Sequence, residues 1–265
     1  MRNPLCWTSF YLTAFALAAV ARADAIDSQI YFPMAPGDEW VWADDSQTQS
    51  TDTILATPGQ VGGQATLVDQ VSGGPYSGST TDETSDENGI RLYRGTYPNV
   101  PVAGYGLVTA SLTFTPPVAF VPRTASLGDS FSSAGTATFV YYGLTSFSLP
   151  YQSSSHLVGV EPVSVPFGSF SAVRFEWSLS MNGLVGTQYL SLSETETAWL
   201  VAGVGPVELE LDGPQGVVHE KLVSTNLTPV PEPSTDLLQA AGVATVVLAW
   251  WGSRRRRVRA EVASS

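Results

Sequence analysis

An all-β fold of antiparallel strands is what this sequence predicts, and three observations predict it. Apolar and polar residues alternate with period two over many short segments, and turn residues recur between them. No stretch of the central body carries the 3.6-residue apolar period of a long helix.

The elements follow in chain order. Arg2 precedes an apolar run, roughly Leu12 to Val20, that closes on Ala21-Arg22-Ala23, the small-x-small pattern of a secretory signal peptide. The run is shorter than the roughly 20 residues a membrane anchor needs, so residues 1–23 are read as removed, with cleavage marked by Ala21 and Ala23. Residues 24–229 then form an extracytoplasmic β domain. The single cysteine, Cys6, falls within the signal peptide and lacks a convincing lipobox before it. The mature chain therefore carries no thiol, which excludes disulfides, cysteine-zinc sites and cysteine nucleophiles.

Within the domain, Phe32-Pro33-Met34-Ala35-Pro36-Gly37-Asp38-Glu39-Trp40 opens the first strand, and Gly128-Asp129-Ser130-Phe131 echoes it. Both read as strands entered through a Gly-Asp turn and anchored by an aromatic residue. Glu87-Asn88-Gly89 joins the two arms of a hairpin over 79–93. Val108, Ala110, Leu112 and Phe114 make one apolar face, and Val173, Phe175, Trp177, Leu179 and Met181 a second, followed by a tight turn at Asn182-Gly183. Val207, Leu209 and Leu211 alternate with Glu208, Glu210 and Asp212. Further turns are expected at Pro58-Gly59, Gly62-Gly63, Gly73-Gly74-Pro75, Pro116-Pro117, Gly205-Pro206 and Gly213-Pro214.

Charge narrows the function. The domain holds five bases against 21 acids, a formal charge of −16. Such a field repels nucleic acid. Only His156 and His219 have an ordinary pKa suited to base catalysis at neutral pH, and no Gly-x-Ser-x-Gly elbow accompanies them. Asp82, Glu83, Asp86, Glu87 and Asn88 form an oxygen-rich run, with a smaller one at Asp44-Asp45, but neither has calcium-loop spacing, so both read as solvated turns. Tyr93, Tyr97, Tyr105, Tyr141, Tyr142 and Tyr151 read mostly as core, and Asn226-Leu227-Thr228 is a sequon without expected consequence. No cofactor or metal is expected.

The chain closes on Val230-Pro231-Glu232-Pro233-Ser234-Thr235, an apolar stretch, and Arg254-Arg255-Arg256-Arg257. The prolines hold an extended peptide. A helix over about 235–253 would span roughly 28 Å at about 1.5 Å per residue, enough for a bilayer core. Trp250 and Trp251 sit at the interface, and the cluster over 254–259 stays cytoplasmic by the positive-inside rule. This order of parts resembles the PEP-CTERM sorting signal, with the motif on Pro231, Glu232, Pro233 and Arg254 to Arg257. The resemblance implies recognition of residues 230–265 by an exosortase, a membrane cysteine protease-transpeptidase of Gram-negative bacteria that make exopolysaccharide. Gln239 in the helix and the residues following the arginines depart from the usual tail.

A second resemblance lies in the body. Val165-Pro166-Phe167-Gly168-Ser169-Phe170-Ser171-Ala172-Val173-Arg174 is similar to the V-P-A-G-x-F hairpin of secreted bacterial β proteins, and Trp199 to Val207 to their G-V-G-x-V strand. Some relatives curve like the half-barrel of lipoprotein carriers, which implies a strongly curved sheet or open half-barrel here. The function expected is an exported, noncatalytic surface or extracellular-matrix protein. Its partners would be the exosortase-type protease, the inner membrane and matrix components such as exopolysaccharide. A binding module for a lipid or other hydrophobic ligand is the alternative, and a secreted hydrolase the third reading.

Overall fold

The computed structural model describes residues 25–102, 105–142, 144–213 and 216–230. The signal peptide, its cleavage residues Ala21 and Ala23, the sorting residues Pro231, Glu232, Pro233 and Arg254 to Arg257, and the expected membrane helix all lie outside them. Among the described residues no helix is long and apolar enough to cross a membrane.

In chain order the strands are β1 (Ile26–Asp27), β2 (Glu39–Asp44), β3 (Gln49–Ile54), β4 (Gly59–Val61), β5 (Gln64–Gly73), β6 (Thr80–Asp86), β7 (Gly89–Val102) and β8 (Gly106–Val121). There follow β9 (Thr124–Ala125), β10 (Ser130–Tyr141), β11 (Thr145–Val165), β12 (Gly168–Val185), β13 (Gln188–Val201), β14 (Gly205–Gly213) and β15 (Gly216–Thr225). One short helix, α1 (Ser28–Tyr31), follows β1.

The expected all-β, antiparallel, strongly curved sheet is what the chain forms, and its curvature runs to closure. Around the sheet the order is β3-β2-β15-β14-β13-β12-β11-β10-β8-β7-β6-β5, and β3 pairs with β5 to complete a 12-stranded barrel. Closure satisfies the edge groups that an open sheet would leave unpaired. The bond that seals it joins Ser50 through Ile54 to Gly73 through Asp69, with β4 extending the same edge of β5.

The turns sort to two ends. Tips joining β2–β3, β5–β6, β7–β8, β10–β11, β12–β13 and β14–β15 share one end. The other holds the β6–β7, β11–β12 and β13–β14 turns, and both ends of the described chain leave from it. About eight strands make a barrel that side chains just fill, and 16 to 18 leave a channel, so twelve strands need extra filling. Here the chain supplies it. Beyond Thr115 the β8 strand parts from β10, and its carbonyls at Pro116 and Phe120 accept from Tyr151 Oη (2.7 Å) and Ser155 Oγ on the inner face of β11. Val118 and Val121 are thereby sealed among Tyr151, Leu157, Phe175 and Trp177, together with Ile26 from β1. Pro116-Pro117 thus lies inside a strand instead of forming the expected turn.

A second cluster closes the end where the termini leave: Trp40, Trp42, Ile54, Val204, Val207 and Leu222, joined by Val163 and Ala172 as the β11–β12 hairpin folds over, with Phe167 N donating to Leu222 O (3.0 Å). Asn226 pins this end, donating to Gly37 O (2.7 Å) and accepting from Glu39 N (3.0 Å), so the sequon asparagine has a structural role.

The Gly-Asp echo is a duplicated turn. Asp38 and Asp129 each accept from the backbone N–H three residues earlier, at Ala35 (2.7 Å) and Ser126 (2.8 Å), and Gly37 and Gly128 both take positive φ. The Asn182-Gly183 turn is a correction: both residues continue β12, opposite Ser191 and Leu190, and the chain reverses between Val185 and Gln188, where Gly186 has φ 63°. Gly183 serves close approach instead, since a Cβ there would lie 3.1 Å from Leu149 Cδ2.

Candidate functional site

Inside the barrel, between the hairpin tips and the sealed end, six carboxylates face the lumen. Cross-strand partners share a face, so register assigns them: Glu196 lies opposite Trp177 and Leu211, Glu194 opposite Leu179, Glu220 opposite Leu209, Asp52 opposite Trp40 and Val71, Asp69 opposite Ile54, and Glu83 opposite Leu67 and Leu92. They come from β3, β5, β6, β13 and β15, with Tyr97 of β7 and Tyr76 of the β5–β6 tip beside them.

These acids are held away from their ordinary ionisation, and desolvation is the largest cause throughout. Burial pushes Glu83 up to about 8, reinforced by Asp69, Glu196 and Asp82 and opposed by Thr81. Glu196 is pushed up to about 7 by burial and then by Glu194. The neighbouring pair Asp52 and Asp69 is also raised by burial, and Asp69 and Glu220 repel Asp52 further; Trp42 Nε1 donates to Asp52 Oδ2 (2.9 Å) and works the other way. Glu194 and Glu220 are raised by burial; at Glu220 the hydrogen bond from Ser50 Oγ (3.3 Å) works the other way and Asp44 adds to the rise. Tyr97 is pushed up to about 12 by burial, then by Glu194 and Glu83. Yet Tyr97 keeps 39 % of its surface accessible, and the acids are only partly covered.

Among the described residues no cation reaches this belt. The five described bases pair elsewhere: Arg91 with Asp86, Arg94 with Asp82 (2.8 Å), Arg123 with Asp27 (2.8 Å), Arg174 with Glu176, and Lys221 with Glu208 (3.5 Å). Among the described residues, no three His, Cys, Asp or Glu gather closely enough for a metal ion.

The oxygen-rich run over 82–88 is therefore only partly the solvated turn expected. Asp86, Glu87 and Asn88 make the hairpin turn, where Asn88 N donates to Asp86 Oδ1 (2.8 Å). Asp82, only 2 % exposed, is locked between Arg94 and Thr66 Oγ1 (2.7 Å), and Glu83 faces the lumen. Asp44 does serve its turn, accepting from Ser46 and Thr48, which lower its pKa. The tyrosines divide as well: Tyr93 and Tyr151 are core, while Tyr105 and Tyr142 are exposed at hairpin tips.

The missed residues had a signal. Glu194 and Glu196 fall on the same strand parity as Leu190, Leu192, Ala198 and Leu200, Glu220 on that of Val218 and Leu222, and Asp69 on that of Leu67 and Val71. A carboxylate at an apolar parity is a carboxylate facing inward.

The histidines lie on the outer face. His156 borders a shallow groove of about 290 Å³ with Ser130, Ser154, Glu176, Ser178 and Thr195. Ser130 Oγ is 2.9 Å from His156 Nδ1, but the same nitrogen lies 3.1 Å from Asp129 O. Both oxygens therefore compete for a single ring nitrogen. Glu176 is engaged by Arg174. His219 Nδ1 sits 3.8 Å from Glu210 Oε2, far from the groove's serines in sheet order.

No family model matches the chain, and no curated protein matches it in sequence. Three solved structures are similar in layout. A protein designated as exported, of YmcC-like fold, from Bacteroides fragilis has TM-score 0.42 and 11 % identity over 74 % of this chain and 99 % of that one. The lipoprotein YmcC of Escherichia coli has TM-score 0.37 and 11 % identity over 87 % and 100 %. A protein designated a lipoprotein from Parabacteroides distasonis has TM-score 0.37 and 8 % identity over 74 % and 98 %. At these values the likenesses carry no inference about chemistry.

Proposed function

We propose that this is an exported, noncatalytic surface or extracellular-matrix protein whose tail is handled by an exosortase-type membrane protease. The observation that carries the reading is the order of parts in the tail: Pro231-Glu232-Pro233, an apolar stretch over 235–253, then Arg254 to Arg257. Two features of the barrel support it. The last strand ends at Thr225, with both its neighbours paired, so the sheet needs nothing from the tail to close. The Ser130–His156 contact shares its ring nitrogen with the Asp129 carbonyl, and the neighbouring Glu176 is engaged by Arg174.

The test is to follow the protein by cell fractionation and protease accessibility in wild type, Glu232→Ala and a deletion of Arg254 to Arg257. Retention of both variants in the inner membrane is expected. Release or display unchanged in both would reject exosortase handling.

A binding module is the second reading, favoured by the partly exposed Tyr97 beside the inward acids. Its inward acids would repel the headgroup of an anionic lipid, which restricts the hydrophobic ligands it can hold.

A further inference from the structure

The groove beside His156 opens onto a longer path on the outer wall. Glu176 lies opposite Thr197 at one end of it. From there toward the hairpin tip Trp177, Leu179 and Met181 turn inward and are buried, so the outward residues of β12 are Ser178, Ser180 and Asn182, opposite Thr195, Ser193 and Ser191 of β13. Leu184 and Tyr189 end the path, 69 % and 68 % exposed, and Tyr189 Oη donates to Asn182 Oδ1 (3.3 Å). The strand from Glu176 to Leu184 covers roughly 26 Å at about 3.3 Å per residue.

This path is uncharged beyond Glu176, which Arg174 engages. Residues 177–193 hold neither acid nor base, nor do residues 130–155 of the β10–β11 hairpin beside them, in a domain of formal charge −16. Its hydroxyls keep hydrogen-bonding capacity. Ser154 and Ser178 share one bond (2.8 Å), and among the described residues the side chains of Ser180, Ser191, Ser193, Thr195 and Thr197 make none. A hydroxyl donates one bond and accepts two, so a row of them suits a partner whose groups do the same.

That pattern selects the partner. Protein partners favour Trp, Tyr and Arg anchors in dry pockets, whereas the groove shows hydroxyl, imidazole and carboxylate groups over a buried Trp177. An anionic chain is repelled by the domain's field and by Glu176. The hydroxyls of an uncharged sugar meet neither obstacle, and the exposed Tyr189 ring gives the apolar face of a pyranose a surface to lie on. A groove at one end and an aromatic ring at the other suit a chain of several sugars and not a single one.

We infer that the outer face of the β12–β13 hairpin, from the His156 groove to Tyr189, binds an uncharged polysaccharide chain. The inference rests on the surface-protein reading, whose matrix partner it names; binding by the purified protein succeeds or fails independently of where the tail directs it.

The test is affinity electrophoresis of the purified full chain in neutral detergent, in native gels cast with mixed-linkage β-glucan, galactomannan or dextran, and with alginate as the anionic control. Retardation by at least one uncharged polymer, and none by alginate, is expected. Against the retarding polymer, Ser178→Ala with Thr195→Ala should raise the dissociation constant about tenfold, two hydroxyl contacts being lost. Tyr189→Ala should raise it about fivefold or more. Thr51→Ala with Ser72→Ala, which removes two paired hydroxyl residues at the β3–β5 seam, should leave it within about twofold. Circular dichroism melts verify that each variant folds. No retardation by any uncharged polymer, equal retardation by alginate, or weakening no greater on the path than at the seam would each overturn the inference.

Discussion

Along β12 the inward residues Val173, Phe175, Trp177, Leu179 and Met181 are all buried, and they share a cluster with Val118 and Val121 of the inturned β8. One strand away, on β13, the same face presents Glu194 and Glu196, paired directly with Leu179 and Trp177. Neighbouring strands of one wall therefore meet different interiors. Where the chain doubles inward it fills the barrel with apolar groups; where it does not, the wall carries acids. The difference teaches that strand number sets how much interior must be filled, and that the inturned β8 supplies apolar filling to one side of it.

The comparison breaks most visibly on its packed side. Trp177→Ala removes the ring that meets Phe120 edge-on at 5.1 Å and the Nε1 donor to Ser153 (2.7 Å). A loss of about 3–5 kcal/mol is expected from urea unfolding. On the acidic side the sign reverses: Glu83→Gln should stabilise the fold by about 2 kcal/mol at pH 8.5, where the wild type must ionise a desolvated carboxylate, and should have no effect at pH 4.5. Tyr151→Phe tests the seam between the two regions, because it leaves Pro116 O without its donor; about 1 kcal/mol of destabilisation is expected. Glu208→Gln removes the acid facing Lys221 at 3.5 Å on the outer wall and should shift stability by less than about 0.5 kcal/mol.

Much of the packed side was legible in the sequence, because Val173 to Met181 alternate large apolar residues with polar ones and each contrast marks a face. The hairpin turn at Glu87-Asn88-Gly89 was legible from its own turn residues, and Asp86 pairs with Gly89; the turn at Pro166-Phe167 was legible only through its likeness to the V-P-A-G-x-F hairpin, and Val165 pairs with Gly168. Closure was not, since β3 meets β5 around a whole barrel and no local pattern records that pairing. The belt was hidden because Glu194-Thr195-Glu196-Thr197 alternates polar with polar, so only its phase relative to Leu192 and Ala198 reveals which residues turn inward. Asn182-Gly183 misled because Gly183 makes room for Leu149 and not for a turn.

The pH dependence of stability tests the account most directly. Glu83, Glu196 and their neighbours have folded pKa values raised above the unfolded ones, so the folded state holds more protons between about pH 4.5 and 8. Their stabilising contribution is full below the ordinary carboxylate pKa and is lost as pH rises through about 7 to 8. Asp44, lowered by its turn, titrates below that window. Urea midpoints measured from pH 5 to 8.5 should fall steadily in the wild type and fall clearly less in the Glu83→Gln, Glu196→Gln double variant, with the outer Glu208→Gln, Glu210→Gln pair retaining the wild-type slope. A midpoint that rises with pH, or a slope unchanged by the inner pair, would contradict an acidic belt enclosed without cations.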